Sequence, residues 1–241
     1  MHFVQQFFSL CVKIEKLDMP FSAEQFQRSR FMSEQEVEVK FYLSNLPVLE
    51  QKLKLAGAEL LQKRVHEINY RYDTPDGALT RAHRVLRLRQ DQSAVLTYKG
   101  PAEPGQPVSV RQEIEVEVSS FTGAMHILEA LGYQVSLVYE KERTTYLLHN
   151  VRVTLDEMPY GNFCEIEGSD AESIQLVANE LGLDWDARNV ESYMTLFNRV
   201  RENKHLTMRN LTFTDFRGVQ VAPADLGVNA ADFVRSNHSL A

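Results

Sequence analysis

The sequence predicts an α+β fold, built on eight antiparallel strands with helices packed against the apolar side of the sheet. Three observations predict it. In Glu36-Val37-Glu38-Val39-Lys40 the charges occupy every second position. On a strand this sets two carboxylates and an ammonium on one face and two valines on the other. The alternation recurs in most later strand candidates, with both signs of charge. Segments of helical period, opened by capping residues and stopped by glycine, interrupt the strands and supply cover for their apolar faces.

The elements follow in order. Strand 35–43 is succeeded by a helix over 46–61, capped by Asn45 with Pro47 in its first turn. Strand 66–74 runs into the turn Asp73-Thr74-Pro75-Asp76-Gly77. Strands 84–90 and 94–100 are joined by the polar Asp91-Gln92-Ser93, and a Pro- and Gly-rich loop leads to strand 108–118. Ser120 caps a helix over 121–131 that Gly132 stops. Strands 137–148 and 151–157 form a hairpin across His149-Asn150, and strand 162–168 follows Pro159-Tyr160-Gly161. Asp170 caps a helix over 171–181, ended by Gly182. A last helix, 190–203, carries Tyr193, Met194, Phe197 and Val200 at helical spacing. Residues 204–241 show no sustained period and read as a mobile C-terminal tail with at most one short ordered turn.

Residues 1–33 read as an N-terminal extension outside the working protein. Met32 directly precedes Ser33-Glu34-Gln35 and the charged strand, so translation from Met32 is the favoured explanation; an amphipathic extension is the other. Phe7-Phe8-Ser9-Leu10-Cys11-Val12 is too short for a membrane span and lacks the basic leader of a signal peptide. Neither Cys11 nor Cys164 has a partner at metal-ligand spacing, which fits a reducing, cytoplasmic setting with no membrane partner. A net charge of −7 argues against nucleic acid as the main partner.

Sorted by parity, Arg87 and Arg89 oppose Leu86 and Leu88, and Thr97 and Lys99 oppose Leu96 and Tyr98. Arg111, Glu113, Glu115 and Glu117 oppose Ile114, Val116 and Val118. Arg152, Thr154 and Asp156 oppose Val151, Val153 and Leu155, while Glu165 and Glu167 oppose Cys164 and Ile166. Two strands are mixed. Lys141 and Arg143 share a face with Glu140 and Glu142 opposite, and Glu67, Asn69, Arg71 and Asp73 oppose Ile68, Tyr70 and Tyr72. For any one strand the ordinary reading is an open sheet with its polar face in water. Eight strands also suffice to close a sheet on itself, with the charged face inside. There, arginines and lysines would neutralise a polyphosphate, and carboxylates would hold Mg²⁺ or Mn²⁺ through oxygen. Periodicity alone leaves closure undecided.

Other chemistries find little support. There is no P-loop, GxGxxG or GxSxG pattern, and the 7 histidines form no HxxxH or HxxEH pair. His66, His83 and His126 read as surface or structural residues, and Cys164 and Tyr193 as core.

The ordered set of motifs resembles the CYTH superfamily, the triphosphate tunnel metalloenzymes. Glu36-x-Glu38-x-Lys40 is similar to its ExExK signature. Tyr72-Asp73-Thr74-Pro75-Asp76-Gly77 with Leu79, Leu86-Arg87-Leu88-Arg89, and Thr97-Tyr98-Lys99-Gly100-Pro101 follow in the family's order. Arg111-x-Glu113-x-Glu115, Glu140-Lys141-x-Arg143, Leu155-Asp156 and Phe163-x-Glu165-Ile166-Glu167 complete a likeness that covers about residues 34–200, within a domain placed at 34–203. The resemblance implies an eight-stranded antiparallel closed barrel, a triphosphate tunnel with helices outside. It implies triphosphate binding by Lys40, Arg87, Arg89, Lys99, Arg111, Lys141 and Arg143, with Lys40, Lys99 and Lys141 acting in catalysis. It implies Mg²⁺ or Mn²⁺ held by Glu36, Glu38, Asp156, Glu165 and Glu167, supported by Glu113 and Glu115. Leu131-Gly132-Tyr133, Glu140-Lys141-x-Arg143-x-x-Tyr146, Gly161-x-Phe163-x-Glu165-Ile166 and Ser192-Tyr193 look most like the class IV adenylyl cyclase branch. ATP to cyclic AMP and pyrophosphate is therefore the first expectation, and hydrolysis of inorganic or thiamine triphosphate the second. A non-catalytic polyphosphate- or nucleotide-binding module ranks below both, because the ExExK glutamates are present. Oligomeric state is left open, a homodimer included.

Overall fold

The computed structural model describes residues 34–232. The expected N-terminal extension, 1–33, lies outside the described residues.

Strands β1 (Glu34–Leu43), β2 (Glu59–Asp73), β3 (Val85–Gln90), β4 (Ala94–Lys99), β5 (Ser109–Val118), β6 (Gln134–Leu148), β7 (Val151–Met158) and β8 (Gly161–Glu167) form one antiparallel sheet. Its order is β5-β4-β3-β2-β6-β7-β8-β1, and β5 pairs back onto β1, so the sheet closes into a ring. The ring is not a regular barrel. Only the first half of β1, Glu34–Glu38, pairs with β5. Beyond it the same edge is continued by a two-residue strand, β9 (Arg188–Asn189), at Lys40 and Phe41. The closing seam sets Glu36 opposite Arg111, a contact no local pattern specifies.

Closure buries both faces of β1. Val37, Val39, Phe41 and Leu43 point outward under helices α1 (Leu46–Leu55) and α4 (Ala171–Glu180), in a cluster with Leu49, Leu53, Ile174 and Val177. Helix α3 (Phe121–Ala130) covers the outer side of β2, β3 and β4 through Ala124 and Leu128 against Tyr72 and Leu88. The caps read from sequence are present: Asn45, Ser120 and Asp170 each accept a first-turn N–H. His149 and Asn150 both take positive φ, the two-residue turn whose twist matches a hairpin.

Helix α1 is shorter than the expected 46–61. Gly57, at φ +76°, lets the chain turn left-handed, with its N–H bonded to the Lys54 carbonyl and that of Ala58 to Leu53. The released residues from Glu59 onward lengthen β2 at its start. The Tyr72–Gly77 motif is structural. The buried Asp73 carboxylate accepts the N–H groups of Thr74, Leu79 and Thr80 and the Thr80 hydroxyl, tying the turn to the short helix α2 (Ala78–Arg81).

Helix α5 (Tyr193–Lys204) packs differently from the others. Tyr193, Leu196, Phe197 and Val200 cluster with Tyr42, Tyr139, Met158 and Phe163. Those four share parity with Lys40, Lys141, Asp156 and Glu165, so α5 caps one end of the inward face. The expectation of a mobile tail from residue 204 is corrected up to residue 232. Leu211, Phe216, Leu226 on α6 (Pro223–Leu226) and Ala231 are buried. Leu211 bridges to Tyr139 and Ala230 to Tyr42, and the Asp232 carboxylate accepts the N–H groups of Ser44 and Asn45 ahead of α1. This strap buries large apolar groups at irregular intervals, each stabilising by about 2 kcal/mol, and so leaves no period to read.

Candidate functional site

The inward face of the ring is a network of opposite charges. Glu36, Glu38, Lys40, Glu67, Lys141 and Asp156 are all buried there. Burying a charge is costly unless it is paired, and each cation of the network meets a carboxylate. Lys40 Nζ lies against Glu38 and 3.2 Å from Glu165 Oε1. Lys99 bonds Glu36 and lies 3.1 Å from Glu113, while Arg111 Nε stands 3.3 Å from Glu36 Oε2 across the seam. Arg143 grips Asp156, with Nε 2.6 Å from Oδ1, and reaches Glu165. Lys141 lies 3.1 Å from Asp156 and 3.6 Å from Glu67. Arg87 meets Glu115 and Thr97, each at 3.1 Å, and donates to the Tyr139 hydroxyl. Arg89 reaches Glu67 at 3.8 Å.

The network sets proton affinities. Burial alone would lower Lys40, but the carboxylates of Glu38 and Glu165 outweigh it and hold the ammonium charged. Burial alone would raise Glu67; Lys141, Arg143, Arg89 and Arg87 overcome this and bring it down to about 2. Glu165 is likewise held well below the usual carboxylate range by Lys40, Arg143 and Lys141 against burial. Glu167 goes the other way. Burial pushes it up, and Glu36 and Glu38 add to that push against Arg152 and Lys99.

The ring therefore brings together every cation expected from the sequence, together with Glu36, Glu38, Asp156 and Glu165. Glu167 is less enclosed: it sits opposite Glu38 in register and 3.5 Å from Arg152. Glu113 and Glu115 face inward as partners of Lys99 and Arg87. Among the described residues no three His, Cys, Asp or Glu side chains stand together as a ready-made metal cage. The reason is visible in the pairs, since lysines and arginines occupy the carboxylates. The donor set nonetheless fits a hard divalent cation. Glu36 Oε2 is buried without a hydrogen bond, its ion-pair contact with Arg111 being misaligned. Behind burial, Glu36 and Glu38 also push Glu167 up, so a cation beside Glu167 would be stabilised.

Sequence reasoning passed over Glu67, Asn69, Arg71 and Tyr139. Glu67 is among the most enclosed carboxylates of the ring, and both amide atoms of the buried Asn69 lack a hydrogen-bond partner. Arg71 is lowered by burial and by its neighbours Arg111 and Arg87. Parity on the mixed strands β2 and β6 placed these residues on one face, but their tyrosines and outward glutamates obscured which face lay inside. Tyr193 proves to be both core aromatic and site neighbour, its hydroxyl donating to Asp156 Oδ2 at 2.8 Å. Cys164, at the outward side of β8, is fully buried core.

Residues 34–182 match the CYTH domain family. Adenylate cyclase CyaB of Aeromonas hydrophila is 28% identical over 188 residues, spanning 73% of this chain and 92% of that protein. Among solved structures, a Vibrio parahaemolyticus protein assigned as an adenylate cyclase superposes with a TM-score of 0.62 at 24% identity, over 69% of this chain and 99% of its own. A Hippeastrum protein assigned as an adenylyl cyclase, and described as having a dominant triphosphatase activity, superposes with a TM-score of 0.51 at 18% identity, over 80% of this chain and 100% of its own. The two superpositions agree in the ring fold.

Proposed function

This chain belongs to the CYTH domain family, and from that premise we propose that it is a divalent-metal-dependent enzyme acting on a triphosphate held inside the ring. The observation that carries the reading is the enclosed set of Lys40, Lys99, Lys141, Arg87, Arg89, Arg111 and Arg143 interleaved with Glu36, Glu38, Asp156 and Glu165. Phosphate oxygens replace carboxylates as partners of the cations. Glu36, Glu38 and Glu167, with Asp156 and Glu165 in reserve, would hold Mg²⁺ or Mn²⁺, which supplies Lewis-acid stabilisation of charge on the phosphates. Lys40, Lys99 and Lys141 donate to oxygens that gain charge as a P–O bond breaks.

The first reaction we assign is adenylate cyclisation. The ribose 3′-hydroxyl attacks the α-phosphorus, its proton leaves to solvent, and pyrophosphate departs. The likeness to CyaB over nearly its whole length supports this choice. The second reading is hydrolysis of an inorganic or thiamine triphosphate, with water attacking the terminal phosphorus. It is favoured by the predominantly charged lumen, whose side chains address phosphate and metal rather than a nucleoside. Among the described residues no helix is long and apolar enough to cross a membrane. We place the protein in the cytoplasm, with a small-molecule triphosphate rather than nucleic acid as its partner.

One incubation series tests both readings. The protein with Mg²⁺ or Mn²⁺ is given ATP, inorganic triphosphate and thiamine triphosphate separately. Cyclic AMP with pyrophosphate supports the first reading and orthophosphate the second. No turnover of any of the three would sink both.

A further inference from the structure

We infer that Tyr193, supplied by helix α5 from outside the matched 34–182 region, is a positioning residue that holds two lysines and one carboxylate of the ring in register for the triphosphate. The inference rests on the reading of the lumen as a triphosphate site. Three independent contacts carry it. The Tyr193 hydroxyl donates to Asp156 Oδ2 at 2.8 Å. Lys40 Nζ stands 5.4 Å from the centre of the Tyr193 ring, and Lys141 Nζ 5.6 Å. Both distances fall within the roughly 6 Å over which an aromatic face attracts a cation.

The arrangement answers a specific problem of this lumen. Lys40 on β1 and Lys141 on β6 both approach the Tyr193 ring, and ammoniums brought close repel each other. A neutral ring near both attracts them without forming an ion pair that a phosphate would have to break. Their carboxylate partners, by contrast, must be exchanged when a triphosphate enters. The Tyr193 contacts therefore survive substrate binding and keep the ammoniums oriented while their ionic partners change. Asp156 is fully enclosed and accepts from Arg143, Lys141 and Tyr193 together. Arg143 and Tyr193 thus fix the orientation of the Asp156 carboxylate.

The position of Tyr193 is itself well determined. Its backbone carbonyl accepts from the buried Tyr160 hydroxyl at 3.0 Å, and Phe163 packs edge-on against its ring at 5.2 Å. The strap beyond α5 clamps the helix: Arg199 donates to the Leu226 carbonyl and Asn203 to that of Asp225. Leu211, Phe216 and Leu226 share the apolar cluster of Tyr193. The C-terminal strap thus belongs to the machinery that aligns the site.

Calorimetric titration of inorganic triphosphate in Mg²⁺, on the full chain, tests this with Tyr193→Phe and Tyr193→Leu. The phenylalanine keeps the aromatic face and removes only the hydroxyl; the leucine removes both. We expect about threefold weaker binding for Tyr193→Phe and about tenfold or more for Tyr193→Leu, the larger step belonging to the ring. Thermal melting without ligand checks that each variant folds; if Tyr193→Leu does not, Tyr193→Phe decides alone. Lowered melting with unaltered triphosphate affinity would mean a merely structural tyrosine and overturn the inference. No binding by the unsubstituted protein would overturn the reading of the lumen and this inference with it.

Discussion

The two walls of the ring carry similar charges in different surroundings. On the wall made by β2, β6, β7, β8 and β1, Glu67 is 1% exposed, Lys141 2%, Lys40 3% and Asp156 0%. On the wall made by β3, β4 and β5 the enclosure gives out toward the far end of β5: the side chains of Arg87 (12% exposed) and Lys99 (14%) are mostly covered, but Glu115 is 41% exposed, with the outward Ile114 and Val116 beside it. A pair of charges in water exchanges one set of partners for another at little cost. A buried pair in the dry wall has no water to fall back on, so Lys40, Glu67, Lys141 and Asp156 are each committed to protein partners. Any ligand that enters must supply both signs. A metal with its triphosphate does so, which ties the dryness of one wall to the chemistry proposed for the whole.

The largest expected effect is on turnover. Glu38→Ala removes a dry-wall carboxylate that pairs with Lys40 and faces Glu167. Metal-dependent turnover of the best triphosphate substrate should vanish while the circular dichroism spectrum and melting stay cooperative, because Lys40 retains Glu165. Undiminished turnover would remove Glu38 from the site. Next comes stability. Glu67→Ala leaves Lys141, Arg143 and Arg89 short of a partner and should cost about 3–5 kcal/mol, whereas Glu115→Ala on the wet wall should cost about 1 kcal/mol or less. Urea unfolding of the two variants reads the contrast directly, and equal losses would abolish the distinction between the walls.

Acid sharpens the same contrast. Glu67 falls from its ordinary 4.5 to about 2 in the folded protein. A depressed carboxyl contributes stability that is present above the unfolded value and is lost as pH falls through the folded one. The contribution should be about 3 kcal/mol, intact above pH 4.5 and disappearing toward pH 2. Glu67→Gln should flatten that part of the stability profile; a slope matching the unsubstituted protein would show that another group is responsible. The smaller effect on turnover is expected where the walls meet. Lys99 lies between Glu36 and Glu113 at the seam. Lys99→Ala should raise KM for the triphosphate by about tenfold with a smaller change in kcat, since it removes a contact made before and during reaction. Steady-state kinetics with both parameters unaltered would place Lys99 outside the binding surface.

How much of this was legible depended on the strand. β1 and β8 alternate cleanly, so Glu36, Glu38, Lys40 and Glu165 could be placed on one face from spacing alone. β5 alternates just as cleanly, yet Glu115 and Glu117 are exposed because its far end lies on the open side of the ring. The enclosed Glu67 and Asn69 lie on β2, where Tyr70 and Tyr72 pack outward under α3 and blur the polar and apolar faces. Ring closure was not readable from pattern, since it depends on Glu36 meeting Arg111 across distant sequence; the family resemblance supplied it. Gly57 carried the same stop signal as Gly132 and Gly182, but Leu60 and Leu61 continued an apolar run that suited a longer helix. The strap after residue 204 has no period, and its buried leucines and phenylalanine were hidden among polar neighbours.

The central claim is that the dry, charged lumen takes up a divalent metal together with a triphosphate. Anomalous diffraction at the manganese edge, from crystals grown with Mn²⁺ and inorganic triphosphate, addresses it most directly. The account predicts manganese density inside the ring at carboxylates drawn from Glu36, Glu38 and Glu167, with phosphate density against Lys40, Lys99 and Arg143. An empty lumen, or manganese and triphosphate bound only at the outer surface, would contradict it.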